Sequence, residues 1–308
     1  MEIVGFGMHV PEKVVTNDDF VKYLDTSDEW ITTRTGIKNR HFINYEEEKN
    51  RDLAIAAAKQ AIADANINVE DIAVCVVATF TPDYLTPSVA CMVSRSLCLS
   101  ENALCFDLNA ACSGYLYSLQ TATQLLKAYP NKYALVIGSE IVSRVTDLND
   151  RNTAILFGDG AGATVIKSNP EKEYSFVAGN RPDEEVLYCD HKEMVIKMKG
   201  QDVYRFATEV ANKSIKELLE KNNLTIDDIS YIVPHQANYR IVETISRKLK
   251  MDMSKFYVNL HKYGNTSSAS IPLALCEMKK ENLLHSGDKI ICVAFGGGLT
   301  YGATLITI

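Results

Sequence analysis

Two pairs of matching segments recur in the same order along the chain, and this constrains the fold more than any other feature. Residues 67–78 read INVEDIAVCVVA and residues 224–235 read LTIDDISYIVPH. Each follows a helical stretch, Leu53 to Ala65 and Val210 to Asn222, and passes through an acidic turn into a buried-strand pattern. Later, 156–166 reads LFGDGAGATVI and 294–306 reads AFGGGLTYGATLI. Both carry Phe-Gly-x-Gly, then Gly-Ala-Thr, then an apolar run. One weak match would be chance, but two ordered landmarks predict a duplicated α/β unit with 1–167 and 168–308 as its halves. Helices and apolar strands alternate within each half, which predicts layered sheets covered by helices. The Gly-rich segments could be phosphate loops, but neither fits a Walker pattern or Gly-x-Gly-x-x-Gly opening a helix. Each leads into a strand-like run, so both are expected to be close-packed turns between strands.

Composition narrows the function. The chain has 308 residues, is 46% hydrophobic and 23% charged, and carries a net charge of -7. An acidic chain is a poor general nucleic-acid binder. The apolar runs are strand-sized, so no membrane span is expected. The first residues, Met-Glu-Ile-Val-Gly-Phe-Gly, do not read as a signal peptide, which points to the cytoplasm and to reduced cysteines. Cys91, Cys98, Cys105 and Cys112 are spaced seven apart, but Leu97 to Asn102 reads as a helix end and turn, and Ala103 to Leu108 as a strand. One helical face therefore cannot hold them. No metal is expected, because there is no Cys-x-x-Cys pair and the histidines are scattered. Most cysteines are expected to be inert core residues.

Cys112 differs in its neighbours. A strand-like run to Leu108 enters Asn109-Ala110-Ala111-Cys112-Ser113-Gly114, and a helix follows with Leu116, Leu119, Thr123 and Leu126 on one face. A thiol at a helix start, among small residues, gains thiolate stability and free N–H groups that can receive an oxyanion. A packed core cysteine would read the same way locally. Pro234-His235-Gln236-Ala237-Asn238 places a histidine just past a buried strand. Gly264-Asn265-Thr266-Ser267 opens another small-residue turn. Singly these are turn or capping residues; a Cys, a His and an Asn at strand ends form a coherent set.

With these motifs the chain resembles the thiolase-superfamily condensing enzymes, and more closely the β-ketoacyl-acyl-carrier-protein synthase III family. Further matches are Thr26-Ser27-Asp28-Glu29-Trp30-Ile31, Arg34-Thr35-Gly36-Ile37, Asp150-Arg151, Phe157-Gly158-Asp159-Gly160-Ala161-Gly162-Ala163 and Phe295-Gly296-Gly297-Gly298, spread over nearly the whole chain. The resemblance implies an α/β fold, a thiolase-like five-layered αβαβα sandwich of two pseudo-symmetric halves, usually a homodimer. It implies that Cys112 is acylated by an acyl-CoA primer. Malonyl-acyl-carrier protein then loses carbon dioxide, and its carbanion attacks the acyl-enzyme. His235 and Asn265 would stabilise the enolate, and the Cys112 and Gly297 N–H groups the thioester oxyanion. Acyl-CoA is then a substrate, and neither cofactor nor metal is required. Trp30, Arg34, Arg151 and Asn238 match CoA-binding positions, with Thr26 and Asn152 as weaker CoA-binding candidates. Thr86, Gly200, Tyr204 and Phe295 match acyl-pocket positions.

Charge adds a partner. Residues 238–262 hold six Lys or Arg against two Asp or Glu. On a helix from Arg240 to Lys250, Ile241, Ile245 and Leu249 form the apolar stripe, with Arg240, Arg247 and Lys250 opposite. Beside His235, this patch is expected to dock the acidic carrier protein. Two departures from the family stand out. Thr86 occupies a position often held by Phe, which implies room for longer or bulkier primers. The segment from Val177 to Met198 is short and carries Glu184, Glu185, Cys189 and His191 instead of a Gly-rich loop. Alternatives are a secondary-metabolite ketosynthase III-like acyltransferase with another acceptor, or a non-catalytic acyl-binding or scaffold protein.

Overall fold

A computed structural model describes residues 1–308. Through residue 167 the chain runs β1 (Glu2–His9), β2 (Val14–Thr16), α1 (Asn17–Val21), α2 (Asp28–Thr35), β3 (Asn39–His41), α3 (Asn50–Ala65), β4 (Ile72–Ala78), α4 (Val89–Leu97), β5 (Leu104–Leu108), α5 (Gly114–Leu125), β6 (Tyr133–Ile141), α6 (Arg151–Ala154) and β7 (Asp159–Lys167). It continues with β8 (Tyr174–Asp183), β9 (Leu187–Cys189), β10 (Ile196–Met198), α7 (Gly200–Lys221), β11 (Tyr231–Pro234), α8 (Tyr239–Leu249), α9 (Leu260–Tyr263), α10 (Ser270–Lys280), β12 (Lys289–Gly296) and β13 (Gly298–Thr307).

Two sheets repeat one topology. The first is five-stranded, β1-β7-β6-β4-β5, and the second four-stranded, β8-β13-β12-β11 when read from the matching edge. In both, the first three strands pair antiparallel and the next joins in parallel. The fifth strand of the second sheet is reduced to a single parallel bridge from Ile232 to Phe256. Phe295 to Gly298 turns from β12 into β13, as expected of a turn between strands, but Phe157 and Gly158 instead follow α6, and Asp159 and Gly160 already belong to β7.

Side-chain alternation assigns the layers, because successive residues of a strand face opposite sides. Val74, Val76 and Ala78 of β4 join a central core with Leu116 and Leu119 of α5, Leu273 and Leu275 of α10, and Ile290, Cys292 and Ala294 of β12. Cys75 and Val77 face the other way, onto α3 and α4. Ile291, Val293 and Phe295 face α7 and α8. The order is α3/α4, sheet, α5/α10, sheet, α7/α8, a five-layered αβαβα sandwich. Strands covered on both faces explain the unbroken apolar runs. No helix is long and apolar enough to cross a membrane.

The cysteines divide differently from the packing expectation. Cys75, Cys276 and Cys292 are buried, but Cys91 and Cys98 are exposed on or just past α4, and Cys105 and Cys189 are half-buried. Cys98 ends α4 in the left-handed conformation at φ 55°, so the seven-residue spacing is broken there. Helix α8 also stops one residue early: Lys250 is its left-handed cap at φ 55°, not part of the helical face.

Candidate active site

Cys112 sits in a tight turn between β5 and α5. Ala111 takes the left-handed conformation at φ 47°, which non-glycine residues rarely adopt. The Asn109 side chain accepts the Ala111 N–H at 3.1 Å and helps hold it there. Gly296, at the end of β12, runs beneath the turn: a Cβ there would lie 2.8 Å from the Cys112 Cβ and 3.2 Å from its sulfur. Glycine at 296 is therefore a condition for the thiol's position.

His235 follows β11, and its N–H donates to Val293 O at 2.7 Å. Its Nδ1 lies 2.8 Å from Ser270 Oγ, which also accepts the Gln236 N–H at 3.4 Å. The serine contact engages Nδ1 and leaves Nε2 as the ring nitrogen without a protein partner, facing the cavity. Burial drives the His235 pKa down to about 3, so the ring is neutral at working pH. Asn265 is fixed by its backbone, with its N–H on Leu156 O at 2.8 Å and its carbonyl accepting Gly158 N–H at 3.0 Å. Its Oδ1 accepts the Ser267 N–H at 2.9 Å, which frees the amide N–H groups to donate. Phe295 stands edge-on to His235, with ring centroids 5.5 Å apart.

Cys112, His235, Asn265 and Phe295 line one cavity of about 1500 Å³, together with Gly296, Gly297, Gly200 and Tyr204. A thiol beside neutral donors in a largely apolar cavity suits covalent acyl chemistry with oxyanion stabilisation. One expectation is reversed. The helix start does not leave the thiol acidic: burial pushes the Cys112 pKa up to about 12, against the Ser267 hydroxyl and its own N–H, which favour the thiolate.

At the outer part of the cavity, Trp30 and Arg34 line the wall with Asn152 and Asn238. The guanidinium carbons of Arg34 and Arg151 lie 4.2 and 4.7 Å from the Trp30 ring centroid. Arg151 itself is not part of the wall; its Nη1 donates to Asp25 O at 2.7 Å. Asn238 is committed within the protein, donating to Arg34 O at 3.1 Å and accepting the Arg240 N–H at 2.9 Å. Thr26 lies outside the wall, with its hydroxyl buried and unpartnered.

Thr86 is not part of the cavity of this chain. Asp83 accepts the Asn50 and Arg51 N–H groups at 2.9 Å each, and Asp107 accepts the Val89 and Ala90 N–H groups at 2.7 and 2.8 Å. The segment between contributes Tyr84, Leu85 and Ser88 to the cavity wall, while Thr86 is off the wall and exposed beside Leu85, which is 87% exposed. Arg240, Arg247 and Lys250 are exposed. Arg240 and Arg247 line a separate cleft, whose wall includes Glu243.

Sequence reasoning missed several wall residues. The short segment before α7 folds as the β9–β10 hairpin, and Leu187, Cys189, Met194 and Ile196 line the cavity. Ile196 joins Val142, Val145 and Phe157 in a small apolar cluster of its own. Ser267, Ser270 and buried Glu140 were also missed. A charged residue ending the apolar run from Ala134 was the available signal for Glu140.

Comparison with known proteins decides the family. The model for the 3-oxoacyl-[acyl-carrier-protein] synthase III family matches residues 106–180, and the model for its C-terminal part matches residues 219–308. The β-ketoacyl-[acyl-carrier-protein] synthase III of Clostridium acetobutylicum is 47% identical, covering 99% of this chain and 98% of that protein. The chain belongs to the β-ketoacyl-acyl-carrier-protein synthase III family. The synthase III structure from Aquifex aeolicus superposes with a TM-score of 0.96 at 42% identity, covering 100% of this chain and 99% of that one. The priming β-ketosynthase of the R1128 polyketide pathway gives 0.91 at 30% identity, covering 99% and 96%. The thiolase-like sandwich and the acyltransferase class of the synthase III family thus apply to this chain.

Proposed function

We propose that the chain condenses an acyl-CoA primer with malonyl-acyl-carrier protein, releasing carbon dioxide, as an initiating step of fatty-acid synthesis. Convergence of Cys112, His235 and Asn265 on one cavity carries this reading. Cys112 is the nucleophile, because sulfur both attacks and leaves well. The Cys112 and Gly297 N–H groups receive the thioester oxyanion. His235 Nε2–H and the Asn265 amide donate to the enolate formed on decarboxylation. A neutral histidine suits that role, since it donates without carrying a proton away. Stacking of guanidinium and Trp30 offers a purine platform for CoA. Gly200, Tyr204 and Phe295 border the acyl chain, and Thr86 reaches a neighbouring subunit rather than its own cavity. No group of metal-ligating side chains supports a metal.

Residues 1–167 and 168–308 are taken as the two halves, in a cytoplasmic homodimer. Strand β5 supports the dimer: it is a sheet edge, and Leu104 on it is 41% exposed. An unpaired apolar edge favours pairing with a second copy. Arg240, Arg247 and Lys250 favour the acidic carrier. Intact-mass measurement with acyl-CoAs of about two to twelve carbons tests the reading, because an acyl adduct must form on Cys112. Absence of an adduct with every primer would remove the condensing role.

A further inference from the structure

Glu140 lies in β6, behind the cavity wall, and is fully buried. No lysine, arginine or histidine bonds its carboxylate. Its Oε2 accepts from Thr81 Oγ1 at 2.7 Å, Thr79 Oγ1 at 3.1 Å and the Phe80 N–H at 3.2 Å. Its Oε1 accepts from Ser268 Oγ at 2.9 Å and Ser267 Oγ at 3.2 Å. Burying a carboxylate without a cation is costly, and burial pushes its pKa up to about 7. The position therefore calls for a use.

Ser267 connects it to the cavity. The residue lines the same cavity wall as Cys112, sits in the left-handed conformation at φ 51°, and belongs to a turn packed directly against the turn that carries Cys112. A hydroxyl has one proton to donate and two lone pairs to accept with. Donating to Glu140 leaves Ser267 able to accept from the thiol.

We propose that Glu140 holds the Cys112 proton during acyl transfer, with the Ser267 hydroxyl as the carrier between them. The proposal rests on Cys112 being the acylated nucleophile. As the sulfur electron pair attacks the thioester carbonyl, the S–H proton passes to Ser267 Oγ, and the Ser267 hydroxyl proton passes to Glu140. When the tetrahedral intermediate collapses, the C–S bond to CoA breaks. The proton returns by the same route to the departing CoA thiolate, so acyl-enzyme and CoA thiol form with no net proton change.

The electrostatics favour this route over loss to solvent. A thiol with a carboxylate, and a thiolate with a carboxylic acid, carry the same single negative charge. Transfer inside the pocket therefore avoids burying a second charge. The other titratable groups facing this region are committed elsewhere. Neutral His235 is bonded to Ser270. Asp159, on neighbouring β7, accepts from Ser143 and the Ile43 N–H. Asp83 caps α3 and pairs with Arg144 at 3.4 Å. Glu140 acts as a positioning and proton-holding residue rather than by touching the substrate.

The test is single-turnover acylation of the full-length enzyme by saturating acyl-CoA, without carrier protein, followed by intact mass across about pH 5.5 to 9. The wild-type rate should rise through an inflection near pH 7, because the holder must be ionised. Glu140→Gln should slow acylation at pH 7 by about 100-fold and abolish the inflection. Ser267→Ala, with Glu140 intact, should do the same and covers the case in which Glu140→Gln fails to fold. A purely structural role would lower the rate alike at every pH and keep the inflection; that result in both variants overturns the proposal. Cys112→Ala separates the two readings. Acylation persisting there would overturn the nucleophile assignment instead.

Discussion

In the first half, Asn109 accepts the N–H of Ala111, which sits at φ 47°, and Cys112 and Ser113 lead to Gly114, where α5 starts. In the second, Asn265 accepts the N–H of Ser267 at φ 51°, and Ser268 and Ala269 lead to Ser270, where α10 starts. The turns also rest on each other's sheets. Gly296 of the second sheet runs under Cys112, and Gly138 of the first runs under Ser268, where a Cβ would lie 2.3 Å from its carbonyl oxygen. One turn was thus used twice, and the substituents divide the work. The first presents a thiol to the cavity and leaves its asparagine exposed. The second buries its asparagine to 7% exposure and places Ser267 in the cavity wall with Ser268 behind it. Duplication supplied the geometry, and side-chain identity supplied the asymmetry that two-step chemistry needs.

The largest effect should come from breaking the nucleophile's side of this comparison. Cys112→Ala should lower turnover by something on the order of 10⁶-fold, as expected for loss of a nucleophile. Adding Ser268→Cys should restore nothing, because Ser268 is 1% exposed and its hydroxyl contacts Ala78 O and Glu140, both at 2.9 Å. Recovery of acylation in that double variant would show the turns to be interchangeable. On the other side, Asn265→Ala and His235→Ala should slow condensation by about 10²- to 10³-fold, the usual cost of one oxyanion donor. Acylation of Cys112 should stay within a few-fold in both, read by mass beside product formation. Equal loss of both steps would remove the division of labour.

The glycines beneath the turns give a smaller, structural effect. Gly296→Ala and Gly138→Ala should each cost about 1–3 kcal/mol of stability by overpacking, measured by denaturant unfolding. Only Gly296→Ala should also abolish acylation in the folded fraction, since its Cβ meets Cys112 itself. If Gly138→Ala blocks acylation equally, the turns are coupled more tightly than their separate roles imply.

The duplication was legible where glycine spacing and strand pattern survived, in the runs into β4, β11, β7 and β13. The third repeat, the turns themselves, escaped: Asn109-Ala110-Ala111-Cys112 and Asn265-Thr266-Ser267-Ser268 share only an asparagine and small size. Left-handed backbone at Ala111 and Ser267 is held by tertiary contacts, and nothing in either residue type announces it. Cys112, His235 and Asn265 could be read because each sits at a strand end among small residues. Glu140 could not be placed, since its role depends on hydroxyls from a distant turn. The cysteine's local helix start suggested an acidic thiol; the desolvation that reverses it is a property of the packed cavity, invisible along the chain.

The outer helices extend the comparison to partners and give the mildest test. Helices α4 and α8 occupy matching places, each after the parallel strand and before the turn. In α4, Arg95 is the single charged residue, and the helix lies beside edge strand β5. In α8, Arg240, Arg247 and Lys248 stand against Glu243, beside the His235 side of the cavity. A near-neutral face next to a sheet edge suits a second copy of the chain, whereas a basic face near the cavity suits an acidic carrier. Arg247→Glu is the cleaner probe, because Arg247 bonds only within its helix, to Thr244 at 3.3 Å. Arg240 also ties α8 to α2 through Thr33 O at 3.1 Å, so Arg240→Glu mixes docking with the setting of Trp30 and Arg34. Arg247→Glu should raise the KM for malonyl-carrier protein by about 3- to 10-fold at low salt, and less as ionic strength rises, because rim charges act mainly on encounter. Acylation by acyl-CoA should not change. An Arg95→Glu variant on α4 should leave that KM alone; if it shifts the carrier KM as much as Arg247→Glu does, the carrier is not reading the difference between the two helices.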